Sequence, residues 1–385
     1  MPKKLSAFLL VLLTVILLAL FTIPAPAPLL AQDSANWSGK KVYFSDAFGE
    51  SSRFDRSETG VSRFAGMLRL RGADVFTLEW RRGIPDDADL VIVPAPTGGF
   101  ASDAEARLWT YLAEGGHVLL FVEPVDSRGR TSRDLADSGG FFSLTWSDLG
   151  IEALSQVVVT EGEMRPVEVT ETDEVGNVVN TTTVQSPELS LDLTTAHVDP
   201  GHPITDGLVP AAVSETPEAG VAENPMQQLY FNGARPIQID PSLQDYIAPL
   251  ISDTDTKVYA ESDYDGYVAS GGIVEYNIGR DGTRGDVILA GAVESPETGG
   301  RLVLVGDVDF ITNGGGFLSS PPYSLGYLYP GNVQFMINAI NWLLDAQVAV
   351  PAYPSPAPTG TPTITPSPVP TATPNLTATA EAPAA

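Results

Sequence analysis

The chain contains no cysteine. That excludes disulfide scaffolds, thiolate zinc sites, iron–sulfur clusters, thiol nucleophiles and the lipid-bearing cysteine of a bacterial lipoprotein. Histidine is nearly absent too: only His117, His197 and His202 occur. Basic residues are scarce, with 21 Lys+Arg against 48 Asp+Glu, a net charge of −27. A nucleic-acid binder needs a basic face to displace phosphate counterions, so the charge argues against that class and equally against docking on anionic lipid headgroups. There is no G-x-S-x-G elbow, no G-x-x-x-x-G-K-[ST] loop and no G-x-G-x-x-G fingerprint, so no cofactor is expected.

What the chain does have begins at its ends. Lys3 and Lys4 precede an apolar run, Ala7 to Ile23, interrupted only by Thr14 and Thr22. Its 17 residues would make a helix about 25 Å long, at the border between a signal peptide and a signal anchor. Pro24, Pro26 and Pro28 end it, and Leu29-Leu30-Ala31 offers an imperfect cleavage site. Residues 1–31 therefore read as a signal peptide or anchor with a membrane contact, and 32–40 as a linker. The two lysines stay in the cytoplasm by the positive-inside rule, which places the rest outside. Residues 349–385 are rich in Pro, Thr, Ala and Ser, with Glu381 as the one charge, and read as a disordered tail. Three N-x-[ST] triplets, at Asn36, Asn180 and Asn375, are too common by chance to carry weight.

Between the ends, strand-like and helix-like patterns alternate. Lys41–Ser45, Asp74–Leu78, Asp89–Ala95 and His117–Val122 read as strands, the later ones apolar enough to be covered on both faces. Val61, Phe64 and Leu68 recur at helical spacing before Gly72. Ser102 and Glu105 suggest a capping box opening a helix that carries Ala104, Leu108 and Leu112. Residues 141–284 change character: short alternating stretches (156–160, 167–170, 178–184) predict a β-rich acidic insertion. From 151 to 300 there are 26 acidic residues against five basic ones, whereas Arg53 to Arg82 holds seven arginines. The acidic middle reads as solvated surface, with calcium binding the sharper alternative. Strands return at 286–293 and 301–306, and Asn332 is placed to cap a final, nearly all-apolar helix. The expected architecture is α/β: a doubly wound, mostly parallel sheet of flavodoxin or glutamine-amidotransferase type. It is built from 41–140 and 285–348, with the insertion between.

The motifs resemble a known superfamily. Asp89-Leu90-Val91-Ile92-Val93-Pro94, the helix after it, and Leu112-Ala113-Glu114-Gly115-Gly116-His117 are similar to class I glutamine-amidotransferase-like domains. Gly201-His202-Pro203-Ile204-Thr205-Asp206-Gly207-Leu208 looks like a segment of their degenerate relatives. The ending Arg301 to Phe310 (RLVLVGDVDF), Gly331-Asn332, then Asn338-Ala339-Ile340-Asn341-Trp342-Leu343, resembles domain of unknown function 4350. It is equally similar to GldG-type auxiliary proteins of ABC transporters. The likeness spans roughly 40–125 and 285–345. It implies a membrane-associated protein with its domain outside, working beside a transporter or other envelope machinery. Such relatives often end in another membrane helix, where this chain has its Pro/Thr tail. An active amidotransferase would need a cysteine, and after the fourth strand stands Glu123-Pro124-Val125-Asp126 instead.

In an open α/β sheet, ligands bind beyond the carboxyl ends of the strands. Asp46, Thr97, Gly98, Gly99, Glu123, Asp307, Asp309 and Asn313 fall there and form the candidate crevice for a cation or sugar hydroxyl. The plainer reading makes Asp307 a cap for the amides of the Asn313–Gly316 loop. His197 and His202, with Asp199 and Asp206, do not match a metal-ligand spacing and sit among prolines, so no metal is assigned. Asp263-Tyr264-Asp265-Gly266 lacks the remaining ligands of a calcium loop and reads as a turn. The expected function is a non-catalytic, exported binding or scaffold module of the cell envelope. Its partner would be an envelope protein or glycan, or a membrane transporter. The alternatives are a glycan- or envelope-directed hydrolase using carboxylates at the strand ends, and a structural surface protein.

Overall fold

Strand His117–Phe121 and strand Arg301–Val305 lie side by side and parallel, although 179 residues separate them. They belong to one seven-stranded sheet in a computed structural model that describes residues 37–97, 101–123, 140–195, 197–208, 228–243, 245–270, 272–273, 275–319 and 326–346. The Ala7–Ile23 run and the Pro/Thr tail lie outside the described residues. Among the described residues no helix is long and apolar enough to cross a membrane.

The strands are β1 (Lys41–Phe44), β2 (Asp74–Thr77), β3 (Leu90–Pro94), β4 (His117–Phe121), β5 (Ile151–Ala153), β6 (Val157–Thr172) and β7 (Val178–Ser190). They continue with β8 (Asp192–Thr195), β9 (Leu229–Asn232), β10 (Ile237–Ile239), β11 (Ile247–Asp253), β12 (Val258–Glu261), β13 (Val287–Glu294) and β14 (Arg301–Val305). The α-helices are α1 (Ser62–Leu70), α2 (Ser102–Ala113), α3 (Phe141–Leu149), α4 (Tyr264–Ala269) and α5 (Pro330–Leu343). The large sheet has the order β11-β13-β14-β4-β3-β1-β2. From β14 to β2 every neighbouring pair is parallel, while β13 and β11 run antiparallel at the other edge. The protein is thus mixed α/β with a mostly parallel sheet.

Both faces of that sheet are buried, which is why its central strands are almost wholly apolar. Leu90 and Ile92 of β3 pack on the α1 and α5 side, Val91 and Val93 on the α2 and α3 side. β14 repeats this, with Val303 and Val305 on one face and Leu302 and Leu304 on the other. Each such buried aliphatic side chain contributes about 1.5–3 kcal/mol. Trp37 is fully buried, and its Nε1 donates to Asn341 Oδ1 at 3.0 Å, tying the start of the domain to α5.

Residues 141–284 return repeatedly to this sheet: β11 is its edge strand, and α3 packs on one of its faces. The short strands expected at 156–160, 167–170 and 178–184 are instead one long β6–β7 ribbon on which β12 pairs only at the root. Pro166, Pro187 and a register shift after Glu161 hid its continuity. Proline is tolerated where a strand has no neighbour to receive its missing N–H. Three local expectations are corrected. Helix α2 is preceded by Ala101 with no side-chain cap, and Glu105 is buried, so Ser102 and Glu105 form no capping box. Asn332 does not cap α5: it lies inside the helix, fully buried. Its Oδ1 accepts from Tyr230 N at 2.9 Å, and its Nδ2 donates to the carbonyls of Tyr230 and Phe310 at 3.0 and 3.1 Å. Asp263 opens the short helix α4, accepting from Gly266 N at 3.1 Å.

Gly306 closes β14 where chain segments approach most tightly. Its N–H donates to Leu289 O at 2.9 Å and its carbonyl accepts from Arg235 N at 2.7 Å. A methyl group at Gly306 would run into the Arg235 carbonyl. Gly306→Ala should therefore lower the unfolding free energy by about 1–3 kcal/mol. Urea denaturation checks this; unchanged stability would mean that the strand end can shift to make room.

Candidate functional site

The register of β4 and β14 sets the site. Arg301 pairs with His117 and Val305 with Phe121, so two residues further on Asp307 stands beside Glu123. Both are buried at the carboxyl ends of adjacent parallel strands, and Asp309 follows one turn later, partly buried. One oxygen from each of Glu123, Asp307 and Asp309 lies within 4.8 Å of the other two. Among the described residues this is the one group of acids close enough together to share a metal ion. Hard carboxylate donors of this kind suit magnesium or calcium rather than zinc.

Asp307 is completely buried. Its Oδ1 accepts from Asp309 N at 2.7 Å and its Oδ2 from Asn232 N at 2.5 Å. It does not cap the Asn313–Gly316 loop, which corrects the plainer expectation. It folds its own turn and fastens β9. Burial pushes its pKa well above the usual carboxylate range, and the neighbouring Asp309 adds to this, while the two backbone N–H groups oppose it. Burial likewise raises Asp309, whose Oδ1 accepts from Thr312 Oγ1 at 2.8 Å. Three carboxylates this close cannot all carry charge without a proton or cation among them.

The other candidate residues are dispersed. Asp46 is exposed, its Oδ2 accepting from Ser52 Oγ at 3.2 Å. Thr97 donates to Gly49 O at 2.8 Å after Ala95 turns the chain with a φ of +52°. Gly98 and Gly99 lie outside the described residues. Asn313 is a clamp: it accepts from Arg63 N at 3.0 Å and donates to the Asp55 and Ser57 carbonyls at 3.1 and 2.8 Å, fixing the start of α1.

The sequence reading missed three residues that the β8–β9 pair brings to the cluster. Asp192 accepts from Tyr230 Oη at 3.0 Å and from Asn232 Nδ2 at 2.6 Å, and its charge helps raise Asp307 and Asp309. No local pattern marks them, since they belong to an alternating stretch far from either acid. Glu50 was missed too. Burial raises its pKa, and the Ser45 hydroxyl and Phe48 N–H hold its carboxylate beneath the loop after β1. His202 Nδ1 accepts from Ile204 N at 3.2 Å, its ring meets Trp342 edge to face, and burial lowers its pKa to about 4. A pocket of about 630 Å³ beside Arg107, Thr110 and Tyr111 lies at the amino ends of β3 and β4, away from these acids.

No protein-family model matches the chain, and no curated protein matches it. Among solved structures it is similar to the mmIFT52 N-terminal domain, with a TM-score of 0.45 and 14% identity over 81% of this chain and 100% of that one. It is also similar to a ThuA-like protein from Parabacteroides merdae, with a TM-score of 0.34 and 11% identity over 81% of this chain and 93% of that one.

The raised pKa values give a signed prediction. A carboxyl group raised on folding contributes stability below its unfolded pKa, and that contribution is lost as pH rises through the folded value. Asp309→Asn removes one charge from the cluster, while its amide oxygen can keep the Thr312 bond. The variant should match the wild type near pH 4 and melt a few degrees higher near pH 7. Thermal melts in chelator across that range check it, and a variant less stable at every pH would contradict the shared-charge account.

Proposed function

We propose that the chain is a non-catalytic α/β binding or scaffold module of the cell envelope, carried out of the cytoplasm by its N-terminal apolar run. The fold assigned to it is the doubly wound, glutamine-amidotransferase-like type, in a degenerate form. One observation carries the non-catalytic half of the reading: two of the three acids that converge at the strand ends are closed in, and the third, Asp309, is partly buried. Glu123 and Asp307 are buried, and both oxygens of Asp307 already accept backbone N–H bonds. A general acid or nucleophile must reach its substrate, and two glycosidase carboxyls need about 5 Å or more between them to admit a sugar. Carboxylates packed this tightly suit holding chain segments, or a small cation, better than they suit hydrolysis.

The envelope half rests on Lys3, Lys4 and the Ala7–Ile23 run. The partner on this reading is an envelope protein or glycan, and partnership with a membrane transporter rests on the family resemblance alone. Fusing residues 1–40 to a reporter that is active only outside the cytoplasm should give signal, and replacing Leu12, Leu13, Leu17 and Leu18 with Asn should abolish it. Equal signal from a cytoplasm-only reporter on the same fusion would overturn export. Loss of a catalytic activity in an Asp309→Asn variant, tested on peptidoglycan and other glycans, would overturn the non-catalytic reading.

A further inference from the structure

We propose that this chain associates head to tail with copies of itself, the free edge of β7 in one copy adding to the free edge of β2 in the next. Strand β2 ends the large sheet and, among the described residues, pairs only with β1. Around it the surface carries aromatic and cationic side chains, with Asp74 on the strand and Glu58 and Glu79 as the exposed acids nearby in sequence. Phe54 is 63% exposed and Phe76 40%, and the Arg53 guanidinium lies 3.9 Å over the Phe54 ring. The charge of Arg69 acts on Arg53, so the two are neighbours, and Arg56 and Arg81 are exposed nearby in sequence. Arginine beside exposed aromatic side chains is the composition of interface hot spots, and an open strand edge supplies main-chain donors and acceptors for an added strand.

The ribbon supplies the complement. From 161 to 190 the only cation is Arg165, while Glu163, Glu168, Glu171, Asp173, Glu174 and Glu188 are exposed acids. Among the described residues β7 pairs with no strand but β6, while at its root Leu189 N donates to Tyr267 Oη at 3.3 Å and Ser186 Oγ to the Gly272 carbonyl at 3.1 Å. Its segment Val178–Val184 carries neither proline nor charge, only Val, Thr and Asn, a composition suited to strand pairing. The β6 edge carries Pro166 and the register shift after Glu161; β7 carries Pro187 and a shift between Val178 and Asn180, which leaves Asn180–Val184 as its regular stretch.

The ribbon roots at β12, which follows β11 in sequence, and β11 and β2 are the two edges of the large sheet, six strand spacings or roughly 29 Å apart at about 4.8 Å each. The contact proposed is one between copies. A contact between two different surfaces of one chain does not close on itself unless its rotation does, so rings or open chains of copies result. This inference does not depend on export or on the acid cluster.

Sedimentation velocity on the full chain tests it. At about 0.01 M salt, where screening acts beyond about 30 Å, mass should rise with protein concentration; at about 1 M salt, with a screening length of about 3 Å, it should fall toward monomer. Association through the apolar N-terminal run would strengthen with salt instead. Arg56→Glu with Arg69→Glu should weaken association about tenfold or more, as should Glu168→Arg with Glu171→Arg. Mixing the two variants pairs an unaltered β2 edge with an unaltered ribbon at one contact and a reversed edge with a reversed ribbon at the other, so association lost in each variant alone should return in the mixture. A wild type that is monomeric at low salt, or charge-reversed variants that associate as it does, would overturn the proposal.

Discussion

The pairing of β14 with β4 is the constraint on which the rest depends. It joins a strand near residue 120 to one near 303 in fixed parallel register. A slip of one residue would exchange the two faces of β14, moving Val303 and Val305 off the α1 and α5 layer and Leu302 and Leu304 onto it. The same register aligns the residues just beyond each strand, so Glu123 and Asp307 are neighbours because Phe121 and Val305 are. The packing of the core and the position of the acids are one fact seen at two points along the same pair of strands.

Much of this was legible in the chain. Strands buried on both faces must be apolar at successive positions, and Leu90–Pro94 and Arg301–Val305 were visible for that reason. Convergence of the acids was half visible: the strand-end rule selected Glu123, Asp307 and Asp309, but also Asp46 and Asn313, which serve local turns and the start of α1. What decides between them is register, and register between segments this distant is not written in either one. The part played by Asn332 was hidden for a related cause. Beside a helix start an asparagine reads as a cap, and only the position of Tyr230 and Phe310 makes it a buried bridge.

The acidic residues fall into two populations with different physics. Those on the β6–β7 ribbon face water, where their charge costs little and keeps the surface hydrated. Asp307 and Asp309 face the interior, where burial itself pushes them toward the protonated form. The net charge of −27 therefore says nothing about the cluster, and composition alone could not distinguish a solvated ribbon from a shared-charge site. The arginines divide likewise: Arg63 donates to the Phe317 carbonyl at 2.8 Å and supports the fold, whereas Arg56 and Arg69 remain on the surface.

Three buried or half-buried carboxylates are a costly means of joining β4, β14 and β9. Apolar side chains of similar volume would join them without the desolvation penalty, and in other proteins such replacements are often neutral or stabilising. Around Asp307 that penalty is partly offset by the Asn232 and Asp309 N–H groups, which hold its two oxygens. The penalty that remains is chiefly burial itself, to which the repulsion among Asp307, Asp309 and Asp192 adds, and a proton or a cation relieves it. Occupancy of the cluster and attachment of the β8–β9 pair to the sheet are therefore linked through one backbone hydrogen bond, from Asn232 to Asp307. The sign of that link depends on what enters: the Asn232 N–H favours the charged carboxylate, so a proton on Asp307 weakens the attachment of β9, whereas a cation offsets the repulsion and leaves the carboxylate charged to accept the bond.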